Sequence, residues 1–130
     1  LIRCTILIRD FYSNTIYIYY TIILFSNPGC NDCKNIIEQI KASSVLNQYI
    51  SNKIVTILNI YPDEDLSYWY DYLPNYPEEW ISGYDAEQVL NLNTIYSLRA
   101  IPSLYLLDKE KNVILKDAPI EKILWFFERM

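Results

Sequence analysis

The hydrophobic positions of the chain alternate between short strand-like runs and a longer segment with helical spacing. Residues 21–25 form an apolar run of the kind expected for a central strand that is covered on both faces. Residues 32–50 place apolar side chains on one helical face, and the serines after Ala42 predict a break, with one serine capping the second piece. Residues 53–60 are too short and too rich in β-branched side chains for a helix, so they predict the next strand.

Two hairpins are predicted, one near each end of the chain. Residues 5–8 and 15–19 are β-rich runs that flank a plausible turn, and they predict an N-terminal hairpin. Residues 103–107 and 113–115 flank a charged turn and predict a second hairpin.

Further helical segments are predicted in the second half of the chain. Asp85 or a neighbour can cap a helix that runs through Leu92, and residues 93–98 predict another short helical turn. A last helix begins near residues 117–119, because apolar side chains then recur at helical spacing at Ile120, Ile123, Leu124 and Phe127.

Two cysteines stand two residues apart directly after the apolar run 21–25. This order predicts that a strand ends, a turn follows, and Cys30 lies in the first turn of a helix. Free backbone N–H groups and the helix dipole favour a negative charge there, so Cys30 should form a thiolate more readily than a free cysteine, whose pKa is about 8.5. Cys33 lies one helical turn later, close enough to form a disulfide with Cys30 or to attack a mixed disulfide formed there. The pair therefore predicts disulfide exchange.

Two other uses of the cysteine pair have to be weighed. A closed zinc site needs four ligands, and the chain has no histidine and one further cysteine, Cys4. A purely structural disulfide is the other alternative, but so short a loop removes little entropy from the unfolded chain. Both are less favoured than a reactive dithiol, and Cys4 is interpreted as an inert buried cysteine of the first strand.

Composition narrows the class of protein. The 130 residues, of which 52% are hydrophobic, fit a single domain that spans residues 1–130. A net charge of −5 argues against a nucleic-acid partner, and no apolar run is long enough for a membrane span. The chain starts at Leu1 without a leader pattern, so we expect a domain processed or excised from a longer precursor.

The order of elements resembles the thioredoxin fold and, within it, the TlpA-like thiol-disulfide oxidoreductases of the bacterial cell envelope. Three separated stretches carry the resemblance: residues 27–34, residues 61–65 with Trp69, and residues 96–108. The implied fold is an α/β three-layer sandwich with a central mixed β-sheet flanked by helices, an N-terminal hairpin and an aromatic-rich insertion.

The resemblance also implies a mechanism. Cys30 would attack, Cys33 would resolve, and the Cys30–Cys33 disulfide would be the redox group, with no metal or other cofactor. Its partners would be protein thiol or disulfide substrates and an unidentified redox partner in the cell envelope or periplasm. In this family the proline that matches Pro102 is cis and lies against the cysteine pair. The alternative is that Pro102 is an ordinary proline at the start of a strand. The residues implied in substrate binding are Ile101, Pro102, Pro28 and Gly29.

Two departures from the family pattern bear on the direction of exchange. Thioredoxin has a buried aspartate where this chain has Leu24, and related envelope reductases have a glutamate where it has Ile36. Asp32 or Glu38 could substitute as proton acceptor for the resolving cysteine. Since Asp32 disfavours a nearby thiolate, we expect a reductase or isomerase rather than a strong oxidant. A thioredoxin-like scaffold domain with a merely structural disulfide is the alternative function.

Residues 61–84 are unusually rich in aromatic side chains. They can form a docking surface for partners beside the turn that leads into the cysteine pair, because tyrosine and tryptophan are favoured in interfaces. They can also simply pack onto the sheet, and this second interpretation is favoured. The rings concerned are Tyr61, Tyr68, Trp69, Tyr70, Tyr72, Tyr76, Trp80 and Tyr84.

Overall fold

Six strands form one mixed sheet within the part of the chain that a computed structural model describes, which is the backbone of residues 2–3 together with residues 19–85 and 100–130. In chain order the elements are strand β1 (Ile2–Arg3), strand β2 (Tyr20–Phe25), helix α1 (Asn31–Ala42), helix α2 (Ser44–Ser51), strand β3 (Val55–Tyr61), helix α3 (Leu66–Tyr72), a 3₁₀ turn (Leu73–Asn75), strand β4 (Ile81–Tyr84), strand β5 (Ser103–Leu107), strand β6 (Val113–Leu115) and helix α4 (Ile120–Glu128).

The strands lie in the order β1-β4-β3-β2-β5-β6. The pairs β1–β4, β4–β3 and β3–β2 are parallel, whereas β5 runs antiparallel to both β2 and β6. Strand β2 is central, and its residues 21–25 are all buried. The predicted central strand, the predicted hairpin of β5 and β6, and the α/β sandwich are thus confirmed.

The break between α1 and α2 follows from local hydrogen bonds. The Ser43 hydroxyl accepts the Leu46 N–H at 3.2 Å and so caps α2, as the serine pattern predicts. The Asn47 side-chain amide donates to the carbonyl oxygens of Ile40 at 2.8 Å and Lys41 at 3.2 Å at the end of α1, and to that of Ser43 at 2.7 Å, so it joins the end of α1 to the start of α2.

One face of the sheet carries the main core. Helices α1 and α4 cover it with a buried stripe each, Cys33, Ile37 and Ile40 from α1 and Ile120, Ile123 and Phe127 from α4. The buried stripe of α4 matches the prediction, except that Leu124 is only partly buried. Because α1 runs back across the sheet from the end of β2, its first turn lies at the edge where the parallel strands β2 and β3 end.

The segment 61–84 contains a strand that the sequence pattern does not predict. The sequence analysis predicts no strand there, but β4 pairs in parallel with β3. Its four residues include Ser82 and Gly83, which have low intrinsic strand preference. Pairing with β3 and β1 supplies the stability that the local sequence lacks.

Several predictions fall on residues outside the described ranges. These are the N-terminal hairpin apart from Tyr19, the helix predicted to follow Asp85, the short turn at residues 93–98, and Cys4. Among the described residues, the helices are all too short or too polar to cross a bilayer.

Candidate redox site

A tight turn connects the end of β2 to the start of α1. The Asn27 backbone carbonyl accepts the Cys30 N–H at 3.0 Å, and the Asn27 side-chain oxygen accepts the Gly29 N–H at 2.8 Å. Asparagine commonly stabilises turns in this way, because its side chain imitates a backbone carbonyl. One residue earlier, the Ser26 N–H still continues the ladder by donating to the Ile60 carbonyl at 3.0 Å. The turn therefore begins directly at the last paired residue.

Cys30 is the N-cap residue of α1. Its backbone is extended, with φ −93° and ψ 115°, and its sulfur accepts the Cys33 N–H at 3.1 Å. The sulfur thus lies where unpaired N–H groups and the helix dipole stabilise negative charge. This is the placement that the sequence predicts for an attacking thiolate.

The two cysteines form a disulfide and differ in their exposure. Their Cα atoms are 5.2 Å apart, within the usual range for a disulfide. Cys33 is 0% exposed, whereas Cys30 is half-buried. Cys30 is therefore the more accessible residue of the pair.

Pro102 lies at the same edge of the sheet. The Ile101–Pro102 peptide bond is cis, and both residues are half-buried. The next residue, Ser103, begins β5 opposite Phe25, the last residue of β2. The Ser103 hydroxyl donates to the Asp117 carboxylate at 2.9 Å, which fixes this strand start. The strand register thus brings the proline segment to the end of the strand that leads into the redox turn.

The other two predicted substrate-binding residues differ from each other. Gly29 is exposed and Pro28 is buried, so Pro28 has the least accessible surface of the four. A Cβ atom on Gly29 would lie 2.9 Å from the Tyr68 hydroxyl oxygen, so the end of that side chain would have to shift. Gly29 therefore lies beside Tyr68 of α3, a residue that is 44% exposed.

A buried polar cluster lies below the turn, and the sequence analysis missed it. The Ser26 hydroxyl donates to the Asn59 side-chain oxygen at 2.6 Å, and the Tyr76 hydroxyl hydrogen-bonds with both residues. Burial raises the pKa of Tyr76, and these hydrogen bonds oppose that rise. Asn59 is the strand partner of Leu24, the position at which thioredoxin has its aspartate. A lone asparagine in the apolar run of β3 marks one member of this cluster in the sequence, but it does not identify the other two.

The two carboxylates that could serve Cys33 are exposed, whereas Cys33 is fully buried. Glu38 also pairs with Lys41 at 3.4 Å. A proton-acceptor role for Asp32 or Glu38 stays a prediction. Among the described residues, no group of three or more cysteine and carboxylate side chains is arranged to hold a metal ion.

The aromatic side chains of residues 61–84 divide into two groups. Tyr61 and Trp69 are buried and stack at 6.0 Å, and Tyr76 and Trp80 are also buried, as the packing interpretation predicts. Burial, with Asp63 and Asp65 nearby, raises the pKa of Tyr61 to about 12. Exposed rings remain as well, and they include Tyr68, which contacts the redox turn, and Tyr70.

Comparison with known proteins identifies the class. No protein-family model and no curated protein matches the chain. The C-terminal domain of an uncharacterized protein from Bacteroides fragilis NCTC 9343 is 44% identical, with a TM-score of 0.81; the match covers 85% of this chain and 79% of that one. A thioredoxin-like protein from Bacteroides caccae ATCC 43185 is 41% identical, with a TM-score of 0.82, over 86% of this chain. The chain spans only 40% of the length of that second protein.

A more distant structure shares the fold. A thiol:disulfide interchange protein from Bacteroides sp. is 17% identical, with a TM-score of 0.69, over 90% of this chain and 76% of that one. The chain has the thioredoxin-like fold, as its sheet topology also indicates, and it carries the Cys30–Cys33 disulfide at the head of α1. This combination supports a protein of the thiol-disulfide oxidoreductase kind.

Proposed function

We propose that this chain exchanges disulfides with protein substrates through Cys30 and Cys33. The observation that carries the proposal is the asymmetry of the pair: the sulfur of the half-buried Cys30 caps α1, and Cys33 is fully buried one turn along the same helix. A structural bridge has no need of an accessible sulfur at a helix N-terminus, whereas an attacking thiolate is stabilised there.

The exchange takes place in two steps. In the reduced protein the Cys30 thiolate attacks one sulfur of a substrate disulfide, forming a mixed disulfide and releasing the other substrate sulfur as a thiolate that takes up a proton. Cys33 then loses its proton and attacks the Cys30 sulfur, which releases the second substrate thiol and forms the Cys30–Cys33 disulfide. The substrate gains two electrons, and a partner protein with a dithiol returns the chain to its reduced form.

The substrate segment is proposed to lie between Gly29 and the Ile101–Pro102 segment. Both lie at the edge where β2 ends, and backbone groups that precede a strand can pair with an extended peptide as a short β-augmentation. The exposed Tyr68 ring borders Gly29 and provides apolar surface on one side of this groove.

We further propose that the chain acts as a reductase or isomerase, in the manner of the TlpA-like proteins, and that it works in the cell envelope. The exposed Asp32 in the first turn of α1 places a like charge near a Cys30 thiolate, and Lys34 is the nearest cation along this helix. A thiolate with little extra stabilisation belongs to a weakly oxidising disulfide.

Reduction of insulin disulfides by dithiothreitol tests the proposal. The wild-type protein should accelerate insulin precipitation, and Cys30→Ser and Cys33→Ser should reduce the rate to that of dithiothreitol alone. Cys33→Ser should also retain substrate as a mixed disulfide on Cys30, because the resolving thiol is gone. Cys4→Ser is the matched control and should keep the wild-type rate. A wild-type protein that adds nothing to dithiothreitol would support the scaffold alternative instead.

A further inference from the structure

Asn27 connects the redox turn to a second loop of the protein. Its carbonyl and side-chain oxygens accept the N–H groups of Cys30 and Gly29, and its side-chain amide donates to the Asp63 carboxylate. Asp63 lies 36 residues further along the chain, in the loop that follows β3. Asn27 therefore closes the turn through its backbone carbonyl and its side chain, and its side chain also joins the turn to a neighbouring segment.

The loop that carries Asp63 is itself held at both ends. The Tyr61 hydroxyl donates to the Asp65 carbonyl at 2.8 Å, and the Asp65 carboxylate caps α3 by accepting the Tyr68 N–H at 3.4 Å. Tyr61 is buried beneath this loop. Asp63 thus offers Asn27 a fixed partner, and fixed supporting groups are what hold a reactive side chain in its productive geometry.

We propose that Asn27, anchored by Asp63, is the positioning residue that holds Cys30 at the head of α1 in the reduced protein. The inference rests on the proposed function and adds to it a residue that touches neither sulfur through its side chain. Asn27 and Asp63 lie in two of the stretches that carry the resemblance, and the hydrogen bond between them is what the structure adds.

The two redox states should depend on Asn27 to different extents. In the oxidised protein the Cys30–Cys33 bond itself fixes Cys30 to α1, so the side-chain contacts of Asn27 add little to the order of Cys30. After reduction that bond is gone, and Cys30 is held by the turn that Asn27 closes together with the helix cap. Loss of the Asn27 side chain should therefore destabilise the reduced form more than the oxidised form, which lowers the reduction potential.

The test is the equilibrium of the purified full chain in dithiothreitol redox buffers, followed by alkylation of free thiols. We expect Asn27→Ala to lower the equilibrium constant for reduction about tenfold, which corresponds to a potential about 30 mV more negative. Asp63→Ala should lower the same equilibrium constant by a smaller factor. Asp63→Asn keeps an oxygen that accepts the Asn27 amide, so it should restore a potential close to wild type.

Controls separate positioning from general stability. Asn35→Ala removes an exposed asparagine of α1 whose side chain contacts the Gln39 amide, and it should leave the potential unchanged. Thermal unfolding of both redox forms is measured in parallel. A merely structural role for Asn27 would lower both melting temperatures equally and leave the potential at its wild-type value, and that result would overturn the proposal.

The proposed function and this inference can fail separately. A wild-type potential below about −300 mV, with no insulin reduction, would contradict the function. An active wild type whose potential is the same in Asn27→Ala would contradict the inference alone. Should Asn27→Ala not fold, Asp63→Ala compared with Asp63→Asn gives the same answer, because neither changes the turn itself.

Discussion

The redox turn, residues 26–30, and the aromatic segment, residues 61–84, both follow parallel strands at one edge of the sheet, yet different forces hold them. Hydrogen bonds from Asn27 close the turn over three residues. The aromatic segment is held by buried rings such as Trp69, which packs against Tyr61 and Tyr84. Substitutions in the turn should therefore alter disulfide exchange with little effect on the free energy of unfolding. Substitutions of the buried rings should lower the free energy of unfolding with little effect on disulfide exchange.

The two regions meet at the buried cluster of Ser26, Asn59 and Tyr76. Ser26 belongs to the turn, Tyr76 to the aromatic segment, and Asn59 to the strand between them. Substitutions in this cluster should therefore change both the rate of disulfide exchange and the free energy of unfolding.

The largest stability effect is expected from Trp69→Ala. Trp69 is 1% exposed, and truncation of a buried tryptophan typically costs about 3–5 kcal/mol in the free energy of unfolding. Urea unfolding measures the loss, and insulin reduction at a temperature where the variant stays folded should be unchanged. Trp125→Ala is the control, because this ring is 55% exposed on α4 and its removal should cost no more than about 0.5 kcal/mol. Equal costs for the two variants would refute the assigned role of Trp69.

An intermediate effect on stability, accompanied by slower exchange, is expected from Asn59→Ala. The substitution leaves the buried hydroxyls of Ser26 and Tyr76 without their shared partner, at a cost of about 1–3 kcal/mol. Asn75→Ala removes an exposed asparagine that donates to the Tyr72 carbonyl, and it should cost no more than about 0.5 kcal/mol. If Asn59→Ala lowered stability without slowing exchange, the cluster would belong to the packing of the aromatic segment alone.

The smallest effect is a pH dependence that comes from Tyr61. Its folded-state pKa of about 12 lies above the usual 10, so the folded protein retains the phenolic proton more tightly than the unfolded chain. This contribution is complete below pH 10, and it is lost as the pH rises from 10 to about 12. Urea unfolding at pH 9 and pH 11 should show a smaller decline for Tyr61→Phe than for wild type, while the lost bond to Asp65 costs about 1 kcal/mol at both values. An equal decline in the free energy of unfolding for the two proteins would contradict the assignment to Tyr61.

Local patterns predicted those parts of the fold whose cause is local. The apolar run at residues 21–25 can only be a buried strand, and Ser43 caps α2 through its own neighbours. Strand β4 escaped prediction because Ser82 and Gly83 carry no strand signal, and pairing with other strands stabilises it.

The same distinction applies to the candidate site. The positions of Cys30 and Cys33 follow from the short spacing between a strand and a helix, so the sequence reveals them. The Asn27–Asp63 contact joins residues 36 positions apart, and the Ser26–Asn59 contact joins residues 33 apart. No periodicity or short motif encodes such pairs, because they arise only when β2 and β3 align.

The central claim is that an accessible Cys30 attacks and a buried Cys33 resolves, and a brief alkylation pulse tests it most directly. The reduced wild-type protein is treated with iodoacetamide for a short time near neutral pH, quenched, and mapped by mass spectrometry. Cys30 should carry nearly all of the label, because its sulfur is accessible at the N-terminus of α1 while Cys33 is fully buried. Dominant labelling of Cys33 would contradict the account.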